Sequence, residues 1–411
     1  MTPRPRLLFL SPRFLFPLNE GGKIRTANIL RHLKGGAFEI VLASPEGDPP
    51  RQFAAELAGA CDRHVAWEAA PVLGWRRVPL LAGRLPVGVA TDASRAARAV
   101  MAREIAAAPD LIVVDFPHAA IHVPQELPPS VLFTHNVEAE IFDRHAEIAR
   151  GLWRIVWRDQ ARKMRSFEAA VLRRFDTVIA VSARDARKLE AAYRPRRVEV
   201  IDTGVDLAYF APHPPPPPPA ADGGTIVFSG AMDSPANIDG IGFLLDAVWP
   251  HLRRARSRLR VLVVGRNPPR ALVERARAAG GDWEFTGYVD DIRPWIAQGH
   301  VAVIPLRAGS GTRIKAFEAM AAGRPVVSTG LGIEGLQVEP EAHFLLADTA
   351  EDFAAQVLRL LDDAPLRAGL AARARALLEA RFSWAHVARQ FETICLSTLA
   401  RARPPSQSGR A

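Results

Sequence analysis

HVAVIPLRAGSGTRIKAFEAMAAGRPVVS, residues 300–328, decides the fold. An apolar run, a glycine-containing loop, a helical stretch and a second apolar run follow one another directly, and two parallel strands need such a crossover helix. The spacing predicts a helix with Thr312 as N-cap, closed after about three turns by Gly323 and Pro325. Ile314, Phe317, Met320 and Ala321 form its buried face, while Lys315 and Glu318, one turn apart, share another face turned toward the loop. Ligands of open parallel sheets sit at the carboxyl ends of strands, and helix amino termini offer free N–H groups to anions. The loop Gly309-Ser310-Gly311 is therefore expected at an anion site. Arg313 and Lys315 stand where the helix dipole disfavours a cation by ~0.3–1 kcal/mol each; a bound phosphate would reverse that sign, and two solvated, tolerated cations are the plainer alternative. Glu318 would repel phosphate but could accept hydrogen bonds from sugar hydroxyls.

The same alternation runs through the chain. Residues 7–10, 38–43, 111–114, 130–134 and 177–181 read as strands in the first half, and 225–229, 259–264, 283–286, 300–305 and 325–328 in the second. Strands alternating with amphipathic stretches predict an α/β protein of two doubly wound, Rossmann-like domains. The Pro214–Pro219 run and the small residues after it cannot continue a helix or a central strand, so 211–224 reads as an extended linker. The expected division is a first domain over 1–210, the linker, a second domain over 225–382, a terminal helix over 383–401 crossing back to the first domain, and a disordered tail over 402–411.

Composition bounds the rest. The chain has 411 residues, 48% hydrophobic and 24% charged, enough apolar material for two cores and too much for wholesale disorder. No apolar run approaches the roughly 18 residues of a spanning helix, and 7–10 is too short for a signal-peptide core. Cys61 and Cys395, far apart and without a histidine cluster, suggest neither a disulfide framework nor zinc. A cytoplasmic location is the default. The formal charge of +9 raises nucleic acid or anionic membrane as partners, but the Arg residues are spread along the chain, as a compositional bias would spread them. The stretch 151–175 reads as a helix with Trp153, Trp157, Met164, Phe167 and Val171 near one face and arginines largely elsewhere. Packing on the sheet explains that stripe and is favoured over a membrane role.

The words TIVFSGAMDSPANIDGIGFLLDAVWPHL (225–252), LRVLVVGRNPP (259–269), WEFTGYVDDIRPWI (283–296) and GSGTRIKAFEAMAAGRPVVST (309–329) resemble the retaining glycosyltransferases of family 4, of the GT-B fold, in which two Rossmann-like domains face each other across a cleft. IDTGVDLAYF (201–210) and RFSW (381–384) extend the likeness across nearly the whole chain, closest to the sugar transferases of exopolysaccharide clusters. The resemblance implies transfer of a sugar from a nucleotide diphosphate donor to a hydroxyl acceptor with retention, without metal or cofactor. The acceptor implied is a lipid-linked or cell-surface polysaccharide precursor at the cytosolic face of the inner membrane. It makes Glu318 the second glutamate of the E-x7-E element, holding the ribose; Ser310 stands where the first glutamate is expected, which moves sugar contacts to the N–H groups of Gly311 and Thr312. Met232 and Asn237 stand in the segment where the family places cations after the first strand, beyond Gly230, leaving Arg266, Arg313 and Lys315 as substitutes on the diphosphate.

In the first half, SPRFLFPLNEGGKIRTANILRHL (11–33) carries Gly21 and Gly22 ahead of Lys23 and Arg25, and the family uses this loop to approach donor and acceptor. His135, just past a strand end, matches a histidine directed at the donor sugar and is the catalytic candidate beside Glu318, with Glu138 on the acceptor side and Arg144 and Asp115 as weaker neighbours. Gly330-Leu-Gly332-Ile-Glu-Gly335 matches G-x-G-x-x-G, but 336–344 has no helical period to follow it, so a dinucleotide site is not expected. No D-x-D, P-loop or G-x-S-x-G word occurs. A nucleotide-sugar epimerase of the same fold, and last a polyanion-binding protein, are the competing readings.

Overall fold

A computed structural model describes residues 3–18, 20–47, 52–68, 77–308 and 313–402. The chain divides into two compact units, one of residues 1–202 with 384–411 and one of residues 203–383.

The first unit is built on a seven-stranded parallel sheet of β1 (Arg6–Leu10), β2 (Glu39–Pro45), β3 (Arg63–Trp67), β4 (Leu111–Asp115), β5 (Ser130–Phe133), β6 (Thr177–Ala180) and β7 (Val198–Val200). Its order is β3-β2-β1-β4-β5-β6-β7. β1 sits between β2 and β4, with Leu8 opposite both Val41 and Ile112. Side chains of a strand alternate between faces, and here both faces are covered: Leu7 and Phe9 enter one core, Leu8 and Leu10 the other. This is why β1 reads as an unbroken apolar run. The helix Trp384–Ala402 packs on this unit, with Phe391 against Phe9 and Phe133 at ring-centroid distances of 6.4 and 5.6 Å and the Thr398 and Thr177 hydroxyls 2.8 Å apart.

The second unit repeats the scheme with β8 (Gly223–Ser229), β9 (Arg258–Val264), β10 (Asp282–Gly287), β11 (Val301–Ile304), β12 (Val326–Ser328) and β13 (Leu345–Leu346), in the order β10-β9-β8-β11-β12-β13, all parallel. Ile226 and Phe228 face one core and Val227 the other. In each sheet the winding reverses beside the first strand, between β1 and β4 and between β8 and β11, and ligands of such sheets bind beyond the carboxyl ends at that point.

The polyproline segment, read from the sequence as the link between domains, lies inside the second unit. Arg324 donates to the His213 carbonyl at 2.8 Å, His300 Nε2 to Pro217 at 2.8 Å and Arg256 to Ala220 at 3.0 Å. An extended proline segment keeps its carbonyls open to outside donors, and this one uses them. Within the helix Leu152–Leu172, Ala161, Met164, Val171 and Leu172 are buried, but Leu152, Trp153 and Ile155 in the first turns are 75, 66 and 65% exposed. Packing accounts for the second half of the apolar stripe and not for its beginning. Ala402 closes the terminal helix, and the rest of the expected tail, 403–411, lies outside the described residues.

Candidate active site

In the second unit the strand ends at the reversal carry a compact polar cluster. Gly230 follows β8, and the helix Pro235–Phe243 begins five residues on. Asn237, in its first turn, donates to the Ala231 carbonyl at 2.8 Å, which fixes the amide so that its oxygen points away. That oxygen accepts from Lys315 Nζ at 2.6 Å, and the ammonium lies 4.8 Å from the Phe228 ring centroid. A Cβ on Gly230 would fall 2.9 Å from both Lys315 Nζ and Asn237 Nδ2, so a larger residue there would displace the ammonium. Asn237, which the sequence flagged only as a departure, is thus the residue that holds Lys315 beside the end of β8.

Burial lowers Lys315 to about 8, against the pull of Glu318. Glu318, one turn along the helix Ile314–Ala321, is raised by burial to about 7, with Lys315 opposing. Each group is held where its charged form lacks solvation, a condition that an anion near Lys315 or a hydroxyl near Glu318 would relieve. The other two expected cations are engaged elsewhere: Arg266 pairs with Asp233 at 3.0 Å in a half-exposed contact, and Arg313, 5% exposed, donates from Nε to the Leu331 carbonyl at 2.9 Å. Arg313 occupies the N-cap position. Gly309, Ser310, Gly311 and Thr312, with the expected N-cap and sugar contacts, lie outside the described residues. The G-x-G-x-x-G word forms a three-residue 3-10 turn, Leu331–Ile333, and Gly330 N–H donates to Asp348 at 2.8 Å; no helix opens there to bind a dinucleotide.

In the first unit the strand ends hold a buried relay. His135, after β5, contacts Asp115 at the end of β4 through Nε2 at 2.6 Å and Arg25 Nη1 through Nδ1 at 3.2 Å. A guanidinium only donates and a carboxylate only accepts, so the proton belongs on Nε2 and the lone pair on Nδ1. Burial holds His135 below its ordinary value, with Arg25 adding to the effect and Asp115 opposing it. Thr26 donates to the other Asp115 oxygen at 2.9 Å. Arg25 is itself lowered by burial to about 10, Asp115 being the largest opposing influence. Both ring nitrogens of His135 are thus engaged within this unit, and Asp115, a minor neighbour in the sequence reading, is the hub.

Phe116 follows Asp115 at φ +66°, a strained backbone for a large side chain of the kind that gathers at functional sites. Its ring stacks on His135 at 4.0 Å, and its edge would lie 2.7 Å from a Cβ on Gly22, so only glycine admits this approach. Gly21 and Gly22 open the helix Gly21–Leu33 and, with Ser11, Arg13, Lys23 and Asp115, line a cavity of about 200 Å³. Glu138 opens the helix Glu138–Ile148 and is raised to about 7 by burial and by Glu168, whose carboxylate accepts from the Glu138 and Ala139 N–H groups at 2.8 and 3.1 Å and from the Tyr193 hydroxyl at 2.7 Å. Arg144 pairs with Glu140 on the same helix, at 3.6 Å. Among the described residues no three His, Cys, Asp or Glu side chains are grouped to hold a metal ion, and no helix is long and apolar enough to cross a membrane.

Two parallel doubly wound units with polar clusters at both reversal points are the GT-B architecture. The description "Glycosyltransferase Family 4" matches residues 20–209 and "Glycosyl transferases group 1" matches 223–363. The chain belongs to these glycosyltransferases. It is 34% identical over 202 residues to a phosphatidyl-myo-inositol mannosyltransferase of Mycolicibacterium smegmatis, a match covering 47% of this chain and 51% of that protein. A D-inositol 3-phosphate glycosyltransferase of Nocardioides is 29% identical over 249 residues, 54% of each. The chain thus spans about half the length of the curated relatives it matches. Among solved structures, sucrose-phosphate synthase of Thermosynechococcus elongatus has a TM-score of 0.69 at 20% identity over 97% of this chain and 100% of that one. HepE of Anabaena, in complex with UDP and glucose, has 0.64 at 17% identity over 96% and 100%. At such identities these two show a shared fold.

Proposed function

We propose that the protein is a retaining glycosyltransferase that moves a sugar from a nucleotide diphosphate donor to a hydroxyl of a lipid-linked or cell-surface polysaccharide precursor, working peripherally at the cytosolic face of the inner membrane. The observation that carries this reading is the Lys315–Asn237 pair against Gly230 at the strand reversal, with Glu318 one helical turn away. In this reading Lys315 neutralises charge developing on the leaving diphosphate, and Glu318 accepts from the ribose hydroxyls of the donor. Gly311 and Thr312 remain the proposed sugar contacts, and Arg266 and Arg313 supporting cations. No metal is enlisted, since Lys315 supplies the charge.

The chemistry needs no protein nucleophile. The bond from the anomeric carbon to the diphosphate oxygen breaks, the acceptor oxygen bonds to that carbon on the same face, and the acceptor proton passes to the departing phosphate. His135, neutral and clamped, offers shape and a fixed dipole rather than a mobile proton, and Gly21, Gly22, Arg25 and Glu138 belong to the acceptor-side unit.

Incubation with an α-linked nucleotide diphosphate sugar and an extract of lipid-linked saccharides tests this. The expected product carries an α linkage, resolved by the anomeric NMR coupling, and Glu318→Ala lowers kcat/KM by about 10²-fold or more. A β-linked product would end the retaining assignment, and an epimerised free sugar without acceptor would replace transfer by epimerisation.

A further inference from the structure

We propose that a second, apolar pocket of the first unit takes the hydrocarbon chain of an amphipathic acceptor whose head lies in the small cavity beside Gly21 and Gly22. The inference deepens the function proposed above and rests on it for the word acceptor. The pocket, about 560 Å³, lies among the helices Val87–Asp92, Glu138–Ile148 and Leu152–Leu172 and is walled chiefly by Leu81, Val87, Phe142, Trp153, Val156 and Trp157. That is the size of a site for a small organic ligand.

Its walls are tied to one another by hydrogen bonds and ring contacts. Gln160 accepts from the Val87 N–H at 2.8 Å and Lys163 donates to the Leu81 carbonyl at 2.7 Å, tying the long helix to two neighbouring segments. Trp157 stacks on His145 at 4.5 Å and meets the Phe142 ring edge-on at 5.8 Å. The polar side chains around the space are Arg13, Arg77, Thr91, Asp92, His145 and Gln160.

The order of the chemistry identifies the occupant. Arg13 borders both this pocket and the 200 Å³ cavity lined by Gly21, Gly22 and Asp115, and there it pairs with Glu20 at 2.5 Å in an exposed contact that an anionic ligand group would have to replace, so a polar compartment, a cation and an apolar compartment follow in sequence. A molecule with a polar head, an anionic junction and a hydrocarbon chain matches that sequence. The start of the long helix, which gives Trp153 to the pocket, agrees: Leu152, Trp153 and Ile155 are exposed there, near the exposed Arg150, Arg154 and Arg158 in sequence, an apolar and cationic segment complementary to the anionic lipid surface on which such acceptors reside.

Gly88 lines the pocket, and a Cβ built on it meets nothing within 4 Å, so the side chain of Gly88→Phe leaves the backbone into open space and should occupy the pocket while favouring its helix. Dodecyl phosphate, titrated below its micellar concentration and followed by tryptophan fluorescence, is expected to bind at least about tenfold more tightly than inorganic phosphate, and Gly88→Phe should remove that advantage. Trp153→Ala, at an exposed position safe for folding, should weaken dodecyl phosphate several-fold and leave inorganic phosphate unchanged. Nucleoside diphosphate binding, a property of the other unit, should be unaffected in both variants. Equal binding of the two phosphates by the unmodified protein, or undiminished chain binding in a folded Gly88→Phe, would overturn the proposal. Chain binding that persists in a protein unable to bind any nucleoside diphosphate would uphold the pocket and overturn the transferase reading instead.

Discussion

Replacing Lys315 by Ala should weaken nucleoside diphosphate binding by about 10-fold to 150-fold, the equivalent of ~1.5–3 kcal/mol for a lost charge-assisted hydrogen bond. Arg266 is tied to Asp233 in solvent and Arg313 donates to a carbonyl, whereas the Lys315 ammonium rests on a neutral amide oxygen with Gly230 leaving space at its side. A neutral partner leaves the positive charge available to an anion. Because burial lowers Lys315 to about 8, the effect carries a pH signature. Between about pH 7, where Glu318 has ionised, and pH 8 the ammonium is present and binding is strongest. Above pH 8 the free protein loses the proton that the anion needs, and affinity falls by up to about tenfold per pH unit. The phosphates contribute nothing to that slope, since a terminal phosphate completes its ionisation near pH 6, and adenosine diphosphate, whose base has no acidic ring N–H, keeps the base out of it as well. In Lys315→Ala the fall between pH 8 and 10 should vanish. Calorimetric titration of both proteins across that range checks the affinity and the slope together; an unchanged slope in the variant would remove Lys315 from the diphosphate.

The largest stability effect is expected at Asp115. Asp115→Ala should cost the first unit about 3–5 kcal/mol, because it deletes the main opposing charge of a guanidinium that is 3% exposed and also orphans His135 Nε2 and the Thr26 hydroxyl. His135→Phe should cost less. It keeps a ring against Phe116 and Phe133, 4.0 and 4.6 Å away, but leaves Arg25 and Asp115 to pair anew. Urea denaturation checks the order. If His135→Phe proves the more damaging, the imidazole rather than the carboxylate is the hub.

The contrast between these residues shows what can be read in a chain of this kind. The inner strands were legible because burial on both faces forces continuous apolar runs such as Leu7–Leu10 and Leu259–Val264, and the glycine and proline after each run mark the turn. The strands that escaped lie at sheet edges, β3, β7 and β13. Arg63-His64-Val65-Ala66-Trp67 has polar residues where an inner strand cannot, and Leu345–Leu346 is too short to show any period. Lys315 and Glu318 stood out because one turn of helix relates them. Their neighbour Asn237, 78 residues from Lys315, did not, and its role emerges only when β8 and β11 lie side by side. Asp115 was similarly obscure: its contacts to Thr26 and His135 span 89 and 20 residues and owe their geometry to the order β1-β4-β5. The helix Leu152–Leu172 shows the limit of periodicity, which finds an apolar stripe but not where its cover ends.

Calorimetric binding of a panel of nucleoside diphosphates at pH 7.5, in the absence of any acceptor, tests most directly whether the second unit is a donor site. The panel should reveal one base bound at least tenfold more tightly than the others, with one molecule per chain and an affinity that survives Asp115→Asn in the other unit. Equal, salt-sensitive binding of all members, or none at all, would contradict a donor site built on Lys315, Asn237 and Glu318.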